Sequence, residues 1–169
     1  MRKLVLSGKG ILTGEGSLLA LKDLKYERAL LVTGGSSMIK SGVIARAEKY
    51  LQMNGTETDL FSGVPKNPSI EDVLKGLVIC RKFKPDVILA IGGGSAMDCA
   101  KAILLFYEFP YLNFENVLEF NKKGEIPTER KTGLICVPST SGTGSEVTRG
   151  TVITDPEKEL KVPIMTDCL

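Results

Sequence analysis

No histidine occurs anywhere in the 169 residues of this chain. That removes the one side chain whose reference pKa lies near neutrality, and with it the commonest metal ligand. Four cysteines are present, Cys80, Cys99, Cys136 and Cys168, but none forms a C-x-x-C pair. A zinc knuckle or dithiol redox centre is therefore without support. Cys80 and Cys99 lie in apolar or helical contexts and read as buried, reduced thiols. A reducing, cytoplasmic location is expected. No apolar run approaches the roughly 20 residues of a membrane span. Residues 1–8 carry no small-residue cleavage site and read as a strand rather than a signal peptide. No repeat or low-complexity tract is visible. Neither sign of charge predominates: 22 basic and 20 acidic residues give a net charge of +2. Both are spread along the chain, which argues against a nucleic-acid partner.

What is present is an α/β pattern. Segments read as strands at residues 28–33, 56–61, 86–91 and 134–138 alternate with amphipathic stretches. One such stretch puts Ile39, Val43, Ile44, Ala47 and Leu51 on a single helix face, closed by Asn54-Gly55. Another starts at Ser69, a helix N-cap, and carries Val73, Leu74, Leu77 and Val78 before Pro85 stops it. Asp72 stands where a capping box has Glu or Gln, so the cap is expected without the full box. Residues 108–132 read as a short helix and an exposed loop. Residues 1–16 read as a small hairpin or edge element, and residues 151–164 as a hairpin. The fold class expected is α/β: a doubly wound, mainly parallel sheet with helices on both faces, plus short antiparallel hairpins at the ends. Right-handed crossovers put the turns at Gly34, Val64, Gly92 and Ser139 on one edge of the sheet, where ligands bind in open α/β folds.

The most informative of these turns is Gly92-Gly93-Gly94-Ser95. Three glycines let an anion approach the backbone, and the helix that follows offers unpaired N–H groups and a positive dipole end. This is an anion site of the kind used for a nucleotide diphosphate. It is neither G-x-G-x-x-G nor a G-K-[ST] loop, and it follows the third core strand, not the first. Asp98, read as lying in the first helical turn, favours either the helix dipole or a cofactor hydroxyl. Residues 139–145, Ser-Thr-Ser-Gly-Thr-Gly-Ser, supply hydroxyls for phosphate, ribose or an amide edge, or else form a solvated turn into a helix capped by Thr143 or Ser145. Gly34, Gly35, Ser36 and Ser37 end the first core strand without the acidic residue that grips a ribose diol. With Lys40 nearby, this favours NADP(H) over NAD(H).

The segments Gly92-Gly93-Gly94-Ser95-x-x-Asp98-x-x-Lys101 and 138–148, together with Val64-Pro65-x-Asn67-Pro68-Ser69 and Val152-Ile153-Thr154-Asp155, resemble the iron-containing (group III) alcohol dehydrogenase family. The resemblance covers essentially the whole chain. It implies that Gly93, Gly94 and Ser95 hold the diphosphate and that Ser139, Thr140, Thr143 and Thr148 line the cofactor. It further implies that Lys161 meets the nicotinamide ribose and that Asn67 faces nicotinamide and substrate. Residues Gly34, Gly35, Ser36 and Ser37 resemble the loop of members that prefer NADP(H). Family members hold Fe²⁺ or Zn²⁺ with one aspartate and three histidines of a C-terminal helical domain. On this reading residues 1–169 are the dinucleotide-binding domain and the helical metal-binding domain is absent. No catalytic or metal-binding residue is assigned, and Asp167 comes too early to be the ligand aspartate. The function implied is the NAD(P)-binding half of a metal-dependent alcohol dehydrogenase, inactive alone. It would act on a small alcohol or aldehyde only when completed, and form a homo-oligomer through its uncovered apolar face. A stand-alone nucleotide-binding or regulatory module, or a fragment of the glycerol dehydrogenase or dehydroquinate synthase type, is the alternative.

Overall fold

Ala29 and Leu31 face one side of the central strand pair and Leu30 and Val32 the other, and all four are fully buried. That alternation with no polar side is what a parallel sheet covered on both faces requires. In the computed structural model, which describes residues 1–6 and 9–169, the sheet holds β3 (Arg28–Thr33), β4 (Glu57–Phe61), β5 (Val87–Gly92) and β6 (Gly133–Pro138). Their spatial order is β4-β3-β5-β6, and every pairing is parallel. On one face α2 (Val43–Gln52) and a 3₁₀ turn at Ser17–Asp23 cover Leu31, Leu89 and Ile91. On the other, α3 (Ile70–Phe83) and α4 (Gly94–Glu108) cover Leu30, Val32, Ile88 and Ala90. Each Leu or Ile buried there stabilises the fold by roughly 1.5–3 kcal/mol.

Two antiparallel hairpins flank the sheet. β1 (Arg2–Leu6) pairs with β2 (Lys9–Thr13); Ser7 and Gly8 lie outside the described residues. β7 (Gly150–Asp155) pairs with β8 (Leu160–Met165), and their inward Ile153, Val162 and Ile164 join the core around α4. A short α5 (Val117–Lys123) lies in the 108–132 segment.

Four expectations are corrected. The helix after β3 is broken into α1 (Ser37–Lys40) and α2, because Gly42 takes φ 74°, outside helical space. Ile39 consequently leaves the buried face and is exposed. The capping box of α3 is complete: Ser69 Oγ accepts from Asp72 N at 3.3 Å, and Asp72 Oδ2 accepts from Ser69 N at 2.9 Å. Ser69 is extended, which turns its N–H toward the third helical residue, so the shorter Asp reaches where Glu or Gln is usual. Residues 139–149 form turns, and no helix starts at Thr143 or Ser145. Finally, α4 begins at Gly94, so Asp98 falls beyond its first turn, which holds no acidic residue.

Opposite the ligand edge, carboxylates fasten the strand starts. Asp86 accepts from the backbone N–H of Glu27 and Arg28, at 2.8 and 2.9 Å. Glu108 accepts from those of Lys131 and Thr132, both at 3.0 Å. Burial would raise the Glu108 carboxyl, but these amides and the Arg130 charge hold it below its usual range.

Candidate functional site

The chain leaves β3 toward β4 on one side, then crosses back to β5 on the other. The strand order therefore reverses between β3 and β5. Neighbouring connections diverge at such a point and leave a crevice beyond the carboxyl ends of the strands. Its floor is the Thr33–Gly34 and Gly92–Gly93 backbone. The Thr33 hydroxyl donates to Ile91 O at 2.7 Å and ties the two strand ends together.

The connecting loops converge there. Gly63 N donates to Gly34 O at 3.0 Å and Val64 N to Thr33 O at 3.2 Å, which anchors the loop after β4. Ser139 N donates to Gly92 O at 2.8 Å, so the hydroxyl-rich segment starts beside the glycine turn. A Cβ on Gly93 would stand 3.5 Å from Thr140 Oγ1. A Cβ on Gly94 would stand 3.1 Å from Ser145 Oγ and 3.2 Å from Thr143 Oγ1, tighter than ordinary contact. Glycine at 94 is what lets the 143–145 turn close over the start of α4.

That helix start is open. Its N-cap is Gly93, which has no side chain to offer the first amides. The neighbouring α3 begins at the same edge with its own Ser69–Asp72 box. Of two adjacent helix ends, one is closed by the chain and the other faces the crevice with its partial positive charge.

Other expected site residues are joined through backbone. Asn67 N donates to Ser95 Oγ at 3.3 Å, bringing the loop after β4 onto the first turn of α4. Asn67 itself is held at φ 55°. Thr154 N donates to Pro68 O at 2.9 Å, and Thr154 is paired with Lys161, so the exposed Lys161 lies one strand away from the Asn67 loop. Gly35, Ser36 and Ser37 are exposed beyond β3, and Ser36 makes no side-chain cap bond. Thr148 is exposed, and its hydroxyl is already engaged within the chain: it donates to Ser145 O at 3.4 Å and accepts from Lys101.

Lys101 carries more than its place in the motif disclosed. Its side chain is 1% exposed. Its Nζ donates to Ser145 O and Thr148 O, both at 2.7 Å, to Gly150 O at 3.0 Å and to Thr148 Oγ1 at 3.1 Å. A buried ammonium is tolerable only with such a shell of oxygens. The sequence signal was a lone cation among Cys99, Ala100, Ala102 and Ile103, on a helix buried all round. One turn earlier, Asp98 O accepts from the Thr151 hydroxyl at 2.7 Å. Burial pushes the Asp98 carboxyl up, opposed by the Lys101 charge and the Val152 backbone amide.

Among the described residues no three or more His, Cys, Asp or Glu side chains come together to hold a metal ion. Nor are Cys80 and Cys99 nucleophiles, since burial pushes their thiols up to about 12.

An open parallel α/β sheet with an uncapped, glycine-entered helix at its switch point is the arrangement in which α/β proteins bind anionic ligands such as nucleotides. Comparison with known proteins narrows this. The family description "Iron-containing alcohol dehydrogenase" matches residues 5–169, and the chain belongs to that family. It is 43% identical over 156 residues to the NADPH-dependent butanol dehydrogenase of Clostridium saccharobutylicum, covering 92% of this chain and 40% of the relative. It is 41% identical over 147 residues to an alcohol dehydrogenase of Thermococcus barophilus, covering 85% and 39%. The iron-containing alcohol dehydrogenase structure from Thermococcus thioreducens superposes with a TM-score of 0.81 at 38% identity, over 92% of this chain and 41% of that one. The chain thus spans about two fifths of the length of these relatives, corresponding to their N-terminal part. The residues present do not fit the family's iron: the chain has no histidine and no acidic or thiol cluster among its described residues.

Proposed function

We propose that this chain is the cofactor-binding part of a nicotinamide-dependent alcohol dehydrogenase that interconverts a primary or secondary alcohol and its carbonyl compound. The observation that carries the reading is the open N-terminus of α4 at the switch point, entered through Gly92 and Gly93 and roofed by residues 139–145. The amides of Gly93, Gly94 and Ser95 would receive the diphosphate. Ser139, Thr140 and Thr143 would line the cofactor beside it, with Thr148 supporting that wall. Asn67 and Lys161 are assigned to the nicotinamide end. When bound, the nicotinamide supplies the hydride acceptor.

NADP(H) is favoured over NAD(H). Gly34, Gly35, Ser36 and Ser37 set no carboxylate against a 2′-phosphate, and the Clostridium saccharobutylicum relative is NADPH-dependent. No residue here is placed to polarise an alcohol hydroxyl, so turnover requires a metal-bearing helical domain in addition to residues 1–169. The chain alone binds nucleotide and turns nothing over. A cytoplasmic site of action and a homo-oligomeric state complete the reading. No helix among the described residues is long and apolar enough to cross a membrane.

Parallel calorimetric titration with NADPH and NADH tests this. Tighter binding of NADPH is the expected result. Absence of binding by either nucleotide at millimolar concentration overturns the reading.

A further inference from the structure

The α4 turn from Asp98 to Lys101 holds on to residues 145–151, the end of the hydroxyl-rich segment and the six residues that follow it. Lys101 Nζ takes the carbonyls of Ser145, Thr148 and Gly150, and Asp98 O takes the Thr151 hydroxyl. Five residues upstream on the same helix lies the open end that faces the crevice. Helix α4 therefore carries one wall of the cleft at its start and fixes the other wall through its second and third turns. Apart from this attachment the 139–149 turns are held at their two ends, by Ser139 N on Gly92 O and by Thr166 N on Arg149 O with the Arg149–Asp167 ion pair, and between them by bonds among Thr143, Gly144, Ser145, Val147 and Thr148 themselves.

We propose that Lys101 and Asp98 are positioning residues that lock residues 145–151 onto α4 and so preset the width of the dinucleotide cleft. The inference rests on the cofactor-binding reading for its consequence, but not for the clamp itself. Lys101 is buried beneath the wall. It acts through Ser145 and Thr148. The Ser145 hydroxyl lies 3.0 Å from that of Thr143, and both stand against Gly94. Three carbonyls directed at one ammonium form a rigid joint, because each loses its partner if the segment shifts.

The test uses the chain with Lys101→Met, which keeps the stem and removes the donors, and Thr151→Val, which deletes one bond and keeps the shape. Leu51→Ala is the control; Leu51 is buried on the opposite face of the sheet. Amide hydrogen exchange over residues 145–152 and the NADPH dissociation constant are measured below each variant's unfolding midpoint. The expected result is faster exchange confined to that segment in both clamp variants. NADPH affinity is expected to fall tenfold or more in Lys101→Met and severalfold in Thr151→Val. Leu51→Ala should stay within twofold, despite an equal or larger loss of thermal stability. Unchanged exchange in 145–152, or an affinity loss no greater than the control's, overturns the proposal. If Lys101→Met does not fold, Thr151→Val carries the same comparison alone. If the parent chain binds no nicotinamide nucleotide, the cofactor reading fails, and the exchange arm still decides the clamp.

Discussion

Thr33 and Ile91 sit at the ends of adjacent parallel strands, and the Thr33 hydroxyl donates to the Ile91 carbonyl at 2.7 Å in a fully buried position. This bond crosses the point where the strand order reverses. Thr33→Val preserves shape and removes the donor. It is expected to lower stability by about 1 kcal/mol, read as a fall in the urea midpoint at unchanged slope. A variant as stable as the parent contradicts this account of the crevice floor.

Gly94 is where the cleft wall meets the helix. Gly94→Ala places a methyl 3.1 Å from Ser145 Oγ and 3.2 Å from Thr143 Oγ1. NADPH affinity should fall about tenfold, near 1.4 kcal/mol, while the unfolding temperature changes little. Calorimetry and thermal melts on the same samples separate the two effects.

The Glu108 carboxyl is held below its usual range, so its charged form stabilises the fold. That contribution is complete above the unfolded value of about 4.3 and disappears as pH falls through the lower folded value. Glu108→Gln should cost about 1 kcal/mol at pH 7, discounted for part exposure. It should also lose less stability than the parent between pH 5 and the acid end. Stability–pH curves for the two proteins should converge at low pH; parallel curves would sink the assignment.

With thiols pushed up to about 12, Cys80 and Cys99 should resist alkylation in the native chain at pH 8. Roughly one such thiol in ten thousand is ionised there. Mass mapping after brief iodoacetamide treatment should find both unmodified until denaturant is added.

Leu74 and Val78 are exposed on α3, one turn apart, and Val152, Leu160 and Met165 on the β7–β8 hairpin. Such apolar surface drives association. Sedimentation should show mass rising with concentration, and Val78→Glu should reduce the effect. A monomer at every concentration argues against it.

The sheet and its ligand edge were legible because uninterrupted apolar runs encode burial on both faces directly. Residues 87–91 announce a central strand, and the glycines after them announce an open helix end. The closed end was harder. At Asp72 a residue-type rule failed because backbone direction, which the rule does not contain, set how far the side chain had to reach. Gly42 was passed over because apolar spacing continued across it, and only its φ breaks the helix. Lys101 was legible as a motif letter and opaque as an anchor, since its acceptors are carbonyls 44 to 49 residues away. Main-chain oxygens leave no trace in the identity of the residues that own them.

Ten of the fifteen residues of α4 are buried, from Ala96 to Phe106 with one interruption. On the proposed reading, a dinucleotide would dock at the end of a rod packed on nearly every side. Recognition there is expected to be lock-like, with little conformational entropy surrendered on docking. The heat-capacity change seen by calorimetry should then match the ligand surface covered, with no added folding component.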